Sequence, residues 1–325
     1  FESVEPSAQF LAKLSQSQLD EMLADLKAKN LVWGAAGLPV DFSRDEDRFK
    51  QGLQQLPQLA AALDRAGVRR VGTWLSPTHD SLTYLANFRQ HARRLREVAK
   101  VLGDHRQRFG LEYVGPKTSW TKGRHAFVHT LAEAQELIAE IGCDNVGLVL
   151  DSWHWYTAGE TEADLLTLTC DEVVACDLND APAGIPVDEQ MDLSRELPAA
   201  TGVIDLKAFL GALVKIGYDG PVRAEPFNKP LNALDNDEAM AATAADMKKA
   251  FALVDLYARA RSAKKRAYPI DRPPVAIRMA QPDGNRSDGE DLSPWPRGRL
   301  LGRRPGQDGR RRAGLRSGST STGGA

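Results

Sequence analysis

Four acidic residues close short apolar segments of the chain. Asp151 ends "VGLVLD", and the segments "GLEYVGP", "VVACDLND" and "PVRAEPF" carry Glu112, Asp177 and Glu225 at comparable places. If these segments are neighbouring strands, their four carboxylates converge in one cleft. They then repel one another unless a divalent cation neutralises them. The pattern therefore predicts a metal site built from these four acids.

A histidine follows the second of these acids at a short interval. His154 stands three residues after Asp151, in "DSWHWY", where the chain has left the predicted strand. One interpretation is a histidine that leans over the acids, where a neutral imidazole can hydrogen-bond a carbonyl or hydroxyl group. The other interpretation is a histidine packed among the aromatic residues on either side of it.

Two cationic side chains lie close to the acids in the sequence. Arg223 alternates in phase with Glu225, so both side chains are expected to point into the same interior and to balance charge there. Lys117 lies in the loop after Glu112. It is a candidate for binding a substrate hydroxyl or phosphate group, and a solvated loop lysine is the alternative.

The elements that would position these residues alternate along the chain. Strands are predicted at residues 1–6, 31–39, 69–77, 110–116, 146–151, 172–180 and 220–227, each followed by a helical pattern. Near-continuous apolar strands separated by helices favour a parallel sheet covered by helices. No glycine-rich phosphate loop follows an early strand, which disfavours an open doubly wound sheet. We therefore predict an α/β fold, a TIM (β/α)8 barrel that lacks its first strand and helix.

Helix boundaries are also marked in the sequence. Ser43 with Glu46, and Thr130 with Glu133, fit capping boxes at helix starts. The remaining signals are an N-cap at Asp205 and helix-ending glycines at Gly142 and Gly217.

The composition limits the classes of partner. The 42 basic and 44 acidic residues leave a net charge of −2, which favours no nucleic-acid partner. No apolar run approaches the roughly 20 residues of a membrane span, so no membrane partner is expected. Three cysteines without CxxC spacing predict small buried thiols in a reducing compartment, and a cytoplasmic protein. A homo-oligomer is left open.

The C-terminal region differs in composition from the rest. Residues 263–325 are rich in Pro, Gly, Arg and Ser and have no hydrophobic periodicity. Such a segment buries too little apolar surface to offset its ordering entropy. The sequence therefore predicts one barrel domain over residues 1–262 and a disordered tail over residues 263–325.

The order of the motifs carries a family resemblance. Glu, Asp-x-x-His, x-Leu-Asn-Asp and Glu-Pro-Phe follow one another as in the sugar phosphate isomerase/epimerase family of the xylose isomerase-like TIM barrels. The similarity runs from "FESVEP" to about residue 260 and is most specific in "LEYVGPKTSW", "NVGLVLDSWHWYTAG" and "GYDGPVRAEPFN". It implies a divalent metal held by Glu112, Asp151, Asp177 and Glu225, with His154 against the substrate.

One position departs from the family pattern. Many relatives have histidine where this chain has Asp177. All four expected ligands are then hard oxygens, which favours Mg²⁺ or Mn²⁺ over Zn²⁺.

The resemblance and the acids together imply a metal-dependent sugar isomerase or epimerase that acts on a small sugar or cyclitol. Glu112 and Glu225 are expected to approach the substrate from opposite faces, one removing and one returning the proton beside a carbonyl through an enediolate. The alternatives are an inosose dehydratase-like lyase, and an inactive truncated barrel that only binds metal or ligand. A histidine-rich trinuclear zinc site that cleaves phosphodiesters is disfavoured, because the chain has only six histidines.

Overall fold

The computed structural model describes residues 1–256, so the predicted tail at 263–325 and its boundary after residue 262 lie outside the described residues. The strands are β1 (Ser3–Val4), β2 (Val32–Trp33), β3 (Ala36–Gly37), β4 (Arg70–Trp74), β5 (Thr78–His79), β6 (Arg108–Glu112), β7 (His125–Ala126), β8 (Val146–Asp151), β9 (Val173–Leu178) and β10 (Val222–Ala224). The helices are α1 (Ala8–Leu11), α2 (Gln16–Ala28), α3 (Glu46–Arg65), α4 (Tyr84–Asp104), α5 (Lys117–Trp120), α6 (Leu131–Ile141), α7 (Ser152–Thr157), α8 (Glu162–Leu165), α9 (Leu206–Ile216), α10 (Lys229–Asn232) and α11 (Asn236–Ala252).

Most strands belong to one parallel sheet that follows the order of the chain. β3, β4, β6, β8, β9 and β10 pair in that order, and β1 pairs with β2. β2 and β3 are two halves of one extended segment, interrupted at Gly34, whose N–H donates to the Val4 carbonyl at 2.8 Å. The seven predicted strands are therefore present, and the predicted parallel α/β architecture is confirmed. β5 and β7 form a separate antiparallel pair.

The sheet curls so that β4 and β8, which are not neighbours, touch across its interior. A Cβ atom added at Gly72 of β4 would lie 3.1 Å from a methyl group of Val149 on β8. At Gly110 of β6 the same methyl group would be only 2.8 Å away. These glycines leave the space that Val149 fills, and this close packing is the interior of a barrel.

The two outer strands of the described sheet approach each other without a backbone ladder. In residues 1–256 no strand pairing joins β1 to β10. Instead Glu5, directly after β1, forms an ion pair with Arg223 of β10 at 2.8 Å. Side chains therefore span the gap between these strands.

The helices pack apolar faces against the sheet as their spacing predicts. In α6 the residues Leu131, Ala134, Leu137 and Ile141 are buried. Gly142 ends this helix in the left-handed region, with φ of 64°. The predicted N-cap at Asp205 and end at Gly217 of α9 are confirmed as well.

The predicted capping box at the start of α3 is wrong. Asp45, directly before Glu46, is the N-cap and accepts the N–H of Arg48 at 2.9 Å. Ser43 lies two residues too early and donates instead to Asp41. An aspartate adjacent to the first helical residue reaches the free N–H groups that Ser43 cannot reach.

The other predicted capping box is half formed. Thr130 caps α6 by accepting the N–H of Glu133 at 3.3 Å. The Glu133 carboxylate accepts the N–H of His129, not the backbone N–H of the cap residue.

Two expectations from composition can be compared with the fold. All three cysteines are free thiols, but only Cys176 is buried, and Cys143 and Cys170 are half-buried because they lie beside helix ends at the sheet's rim. Among residues 1–256 we find no helix with the length and apolar character needed to cross a membrane.

Candidate active site

The carboxyl ends of β6, β8, β9 and β10 bring four acids together. Glu112 and Asp151 are the last residues of β6 and β8. Asp177 lies one residue before the end of β9, and Glu225 directly follows β10. Asp151 and Asp177 are register partners, and oxygens of Glu112, Asp177 and Glu225 lie within 4.8 Å of one another. The predicted convergence of the acids is therefore what the fold produces.

Three of the four acids in this acidic cluster, Glu112, Asp177 and Glu225, line a cavity of about 390 Å³. Asp151 and Asp177 are buried, whereas 27% of the Glu225 side chain is exposed. Other residues that line the cavity include Glu5, Thr73, Trp74, Val149, Cys176 and Arg223. The carboxylates are thus largely shielded from water but open to a small molecule that enters the cavity.

Burial and mutual repulsion make these acids hard to ionise. Burial raises the pKa of Glu112 well above the usual range, and the charges of the neighbouring acids add to this effect. Burial also raises the pKa of Asp177, although Arg223 opposes the shift. The pKa of Glu225 is raised to about 7, again first by burial and then by Asp151 and Asp177. Titratable groups of this kind are characteristic of sites that move protons.

An arginine that the sequence reading missed lies within the cluster. Arg195 donates from Nη1 to Asp151 Oδ2 at 2.6 Å and to Glu225 Oε2 at 3.1 Å. Its guanidinium also stacks near the rings of Trp153 and Phe227, with 5.4 and 4.7 Å to the ring centroids. Arg195 comes from the long connection between β9 and α9. The length of this connection was the one sequence feature that could have indicated a functional loop there.

A buried aspartate holds this connection in place. Asp180 accepts backbone N–H groups of Ala181 and Ile204 on Oδ1 and of Thr201 and Gly202 on Oδ2, at 2.7–3.0 Å. The two ends of the segment that carries Arg195 are thereby tied to the end of β9.

The other arginine was anticipated. Arg223 is the register partner of Asp177 and donates from Nε and Nη2 to its two oxygens at 2.8 and 2.7 Å. Nη2 also donates to Glu225 Oε1 at 3.1 Å. Arg223 therefore balances charge beside the acids, as its phase with Glu225 indicates.

The fit of a divalent cation can be judged from charge and from one free oxygen. Four ionised carboxylates carry −4 against the +2 of Arg195 and Arg223, and these two guanidinium groups also pair with the carboxylates of Asp192 and Glu5, so negative charge is in excess. Glu112 Oε1 is buried and has no hydrogen-bond partner within the described residues. A buried hydrogen-bond acceptor without a partner destabilises the folded protein. A divalent cation would supply both the missing partner and the missing charge, so the residues fit such an ion.

His154 lies in the first turn of α7 and faces the cluster. Its Nδ1 accepts the N–H of Gly115 at 3.2 Å, and its Nε2 is 3.8 Å from both Glu112 Oε1 and Asp151 Oδ2. Burial lowers the pKa of His154 to about 4, so the ring is neutral at pH 7. A Cβ atom at Gly115 would lie 2.4 Å from the His154 carbonyl, so this close approach requires glycine. The structure thus directs the His154 ring at the acids, with the Tyr113 ring 6.5 Å away between centroids.

Asp151 is oriented by two further donors. Its Oδ1 accepts the Trp153 N–H at 2.8 Å and the Asn179 side-chain amide at 2.9 Å. Asn179 belongs to the "LND" motif, and sequence reasoning assigned it no role.

The structure does not bring Lys117 into the cluster. Its Nζ forms an ion pair with Asp188 at 2.5 Å at the start of α5. Within residues 1–256 it has no hydrogen bond or ion pair to the four acids. Its predicted role would require it to leave Asp188.

Comparison with known proteins agrees with the fold. Residues 1–250 match the family described as Xylose isomerase-like TIM barrel, and the chain belongs to that family. An inosose isomerase of Bacillus velezensis is 27% identical over 237 residues, which cover 70% of this chain and 80% of that protein. An inosose isomerase of Halalkalibacterium halodurans is 31% identical over 150 residues, or 45% of this chain, and there the chain spans about half, 48%, of the relative.

Solved structures show the same architecture. A xylose isomerase domain protein from Alicyclobacillus acidocaldarius superposes with a TM-score of 0.68 at 34% identity, over 78% of this chain and 89% of the other. The IOLI protein, solved with a zinc atom, superposes with a TM-score of 0.64 at 23% identity, over 79% of this chain and 89% of that one. The second likeness concerns the fold alone.

Proposed function

We propose that this protein is a divalent-cation-dependent isomerase or epimerase that acts on a small sugar or cyclitol by moving a proton on a carbon beside a carbonyl group. The observation that carries the proposal is the acidic cluster, in which Glu112, Asp177 and Glu225 line one cavity with their oxygens within 4.8 Å of one another. The isomerase names of the relatives support the reaction class.

The glutamates are the proposed acid–base pair. Without a cation, burial beside Asp151 and Asp177 raises the pKa of Glu225 to about 7, near the pH at which a base is most effective. Burial raises the pKa of Glu112 well above its usual range, and we assign this residue to the delivery of a proton. β6 and β10 are separated in the sheet by β8 and β9, so the two carboxylates reach a substrate from different sides.

The proposed cofactor is a divalent cation surrounded by Glu112, Asp151, Asp177 and Glu225. When bound, it would polarise the substrate carbonyl and neutralise the excess negative charge of the cluster. Carboxylate oxygens are hard ligands, so we propose Mg²⁺ or Mn²⁺ in preference to Zn²⁺.

The neighbouring residues orient the acids and the substrate. Arg195 holds one oxygen each of Asp151 and Glu225. We assign His154, neutral and directed at the cluster, to a hydrogen bond with a substrate hydroxyl or carbonyl oxygen. Lys117 stays a prediction, since its Nζ is now paired with Asp188.

A substrate screen tests the proposal. The protein would be incubated with a panel of ketoses and inososes, with Mn²⁺ or with a chelator, and the products separated by chromatography. A product that is an isomer or epimer of the substrate and forms only with the cation supports the proposal. A product lighter by one water would replace it with the lyase alternative, and turnover unaffected by the chelator would contradict the cation requirement.

A further inference from the structure

A second cavity, of about 630 Å³, lies at the end of the barrel opposite to the acidic cluster. It is formed where α2 and α3 end and where β2 and β4 begin, and Arg70 is the first residue of β4. Trp74, at the other end of β4, is the register partner of Glu112, so this strand runs from the cavity to the cluster. The volume lies in the range of sites that hold a small molecule.

The walls of this second cavity are largely apolar. Trp33 donates from Nε1 to the Ala66 carbonyl at 2.9 Å, which holds its indole against the end of α3. Since this N–H is already bonded, the indole presents apolar ring surface to a ligand. Val32 is 64% exposed although it lines the same cavity. The apolar wall residues are Leu23, Leu26, Leu31, Val32 and Trp33. Open apolar surface of this kind favours a ligand with an apolar body.

The charged residues that line this cavity in the described part of the chain are all cations. They are Lys27, Arg69 and Arg70, and no acid stands among the lining residues there. Lys27 forms no ion pair within residues 1–256. We call this site the basic cavity.

The acids near Arg69 and Arg70 balance these cations incompletely. Asp64 pairs with Arg69 at 2.7 Å, but the same carboxylate oxygen also pairs with Arg106 at 2.8 Å. Arg70 pairs with Asp219 at 3.1 Å, and the Asp219 side chain is 67% exposed. An ion pair with so exposed a partner is weak. Positive charge is therefore in excess around the basic cavity.

Arg108 adds a further positive charge beside Arg70. The two arginines are register partners on β6 and β4. Nη2 of Arg108 donates to the backbone carbonyls of Asp171 and Val173, at 2.5 and 3.0 Å, so these bonds satisfy the guanidinium without neutralising it. Like charges held side by side favour an anion between or beside them.

The ends of α2 and α3 oppose an anion, because the negative end of each helix dipole lies at the basic cavity. Each dipole is equivalent to roughly half a charge. At the end of α2 the Leu26 carbonyl already accepts the N–H of Leu31 at 2.8 Å, and at the end of α3 the Ala66 carbonyl accepts from Trp33. The three lining cations outweigh these two dipoles.

We propose that the basic cavity binds a small aromatic carboxylate, with its ring against Trp33 and the leucines and its carboxylate paired with Arg70 and Lys27. A guanidinium group matches a carboxylate with two parallel hydrogen bonds, which suits Arg70 to this role. The site is separate from the acidic cluster and does not depend on the reaction proposed there.

Isothermal titration calorimetry of the full chain tests the proposal. The probes are benzoate, cinnamate and indole-3-acetate, each compared with its neutral amide, in a buffer with a chelator so that no metal ion at the acidic cluster can bind the carboxylate. At least one carboxylate is expected to bind about tenfold more tightly than its amide, because only the carboxylate pairs with the cations.

Variants locate the binding in the basic cavity. Lys27→Met and Arg70→Met should each weaken binding of the carboxylate by about fivefold and leave the amide unchanged. Lys27 is exposed and without an ion pair in the described residues, so the fold does not depend on it. Lys29→Met is the matched control, since Lys29 lies two residues further on, is not among the lining residues and pairs with Asp25. It should bind like the parent.

Three results would overturn the proposal. One is that none of the three carboxylates binds the parent. Another is equal affinity for carboxylate and amide, which would remove the role of the cations. The third is that Lys27→Met and Arg70→Met both bind like Lys29→Met, which would place the ligand elsewhere on the molecule.

Discussion

At the scale of single residues, the chemistry proposed for the two glutamates depends on where they are buried. Removing water from Glu112 and Glu225 raises both pKa values, and the remaining acids of the cluster raise them further. The same two side chains on an exposed loop would stay ionised and would be poor proton donors at neutral pH.

The two-glutamate assignment predicts a partial reaction in each single variant. If one glutamate serves each face of the substrate, Glu112→Gln and Glu225→Gln should each exchange the substrate proton of only one epimer. The two variants should prefer opposite epimers, while neither completes inversion. NMR of each purified epimer measures this proton exchange. Full inversion by both variants would mean that another residue is the base, and His154 would be the first residue to examine.

His91, which lies outside the cluster, should make the free energy of unfolding depend on pH. His91 is buried against Phe42 and Phe127, and its Nε2 has no partner in residues 1–256. Burial lowers its pKa from 6.5 to about 4. Between pH 6.5 and pH 4 the His91 imidazole is protonated in the unfolded chain but stays neutral in the folded protein. The contribution of neutral His91 to the free energy of unfolding is therefore full above pH 6.5 and falls as the pH falls towards 4.

The expected loss from His91 over this range is about 3 kcal/mol. His91→Leu has no imidazole that can be protonated, so this variant should lose less stability than the parent between pH 7 and pH 4.5. Urea unfolding at both pH values measures the difference. His105→Leu, at the end of the same helix, is the control and should follow the parent. Equal pH slopes for the parent and His91→Leu would show that His91 does not titrate as its burial implies.

At the scale of elements, the regular parts of the fold were readable from the sequence and the irregular connections were not. Short apolar runs separated by helical patterns predicted the seven strand segments. Acids at the ends of four of them predicted the converging carboxylates, because the carboxyl ends of barrel strands lie at one face. Arg195 could not be placed, since the connection after β9 has no period and its path is set by Asp180. The two hydrogen bonds from Arg223 to Asp177 were predicted only as general charge balance beside Glu225. The register between two strands cannot be read from the sequence of either strand alone.

The free energy of unfolding should depend strongly on Asp180, because this residue anchors the connection after β9. Its carboxylate accepts four backbone N–H groups, and Asp180→Ala would leave these donors without partners in a buried place. We expect the free energy of unfolding to fall by about 3 kcal/mol. Asp188→Ala, in the same connection but exposed and paired with Lys117, should change it by less than about 0.5 kcal/mol.

Chemical unfolding of both variants measures these values. Similar small losses at the two positions would mean that Asp180 does not anchor the connection. A large loss at Asp188 would place the anchor elsewhere in it.

At the scale of the whole molecule, the cluster ties together four strands that are far apart in the chain. Ion pairs of Asp151, Asp177 and Glu225 with Arg195 and Arg223 join β8, β9 and β10, and Glu5 connects β1 to the same network through Arg223. A cation that binds only this folded arrangement must stabilise all of it by mass action.

The melting temperature should therefore rise with Mn²⁺. At one hundred times the dissociation constant the gain is about 2.7 kcal/mol, and for a domain of this size that corresponds to roughly 5–10 °C. Asp151→Asn should show little of this rise at the same concentration. A rise of equal size in the parent and in Asp151→Asn would indicate that the ion binds away from the cluster.

The most direct measurement of the central claim is deuterium uptake from heavy water. The protein, with Mn²⁺ and a substrate from the screen, would be followed by proton NMR over many turnovers. Removal and return of a proton beside the carbonyl predicts that the signal of that carbon's hydrogen disappears, at a rate that falls when Glu112 or Glu225 is changed to glutamine. Conversion of the substrate with that hydrogen retained throughout would contradict the proton-transfer account.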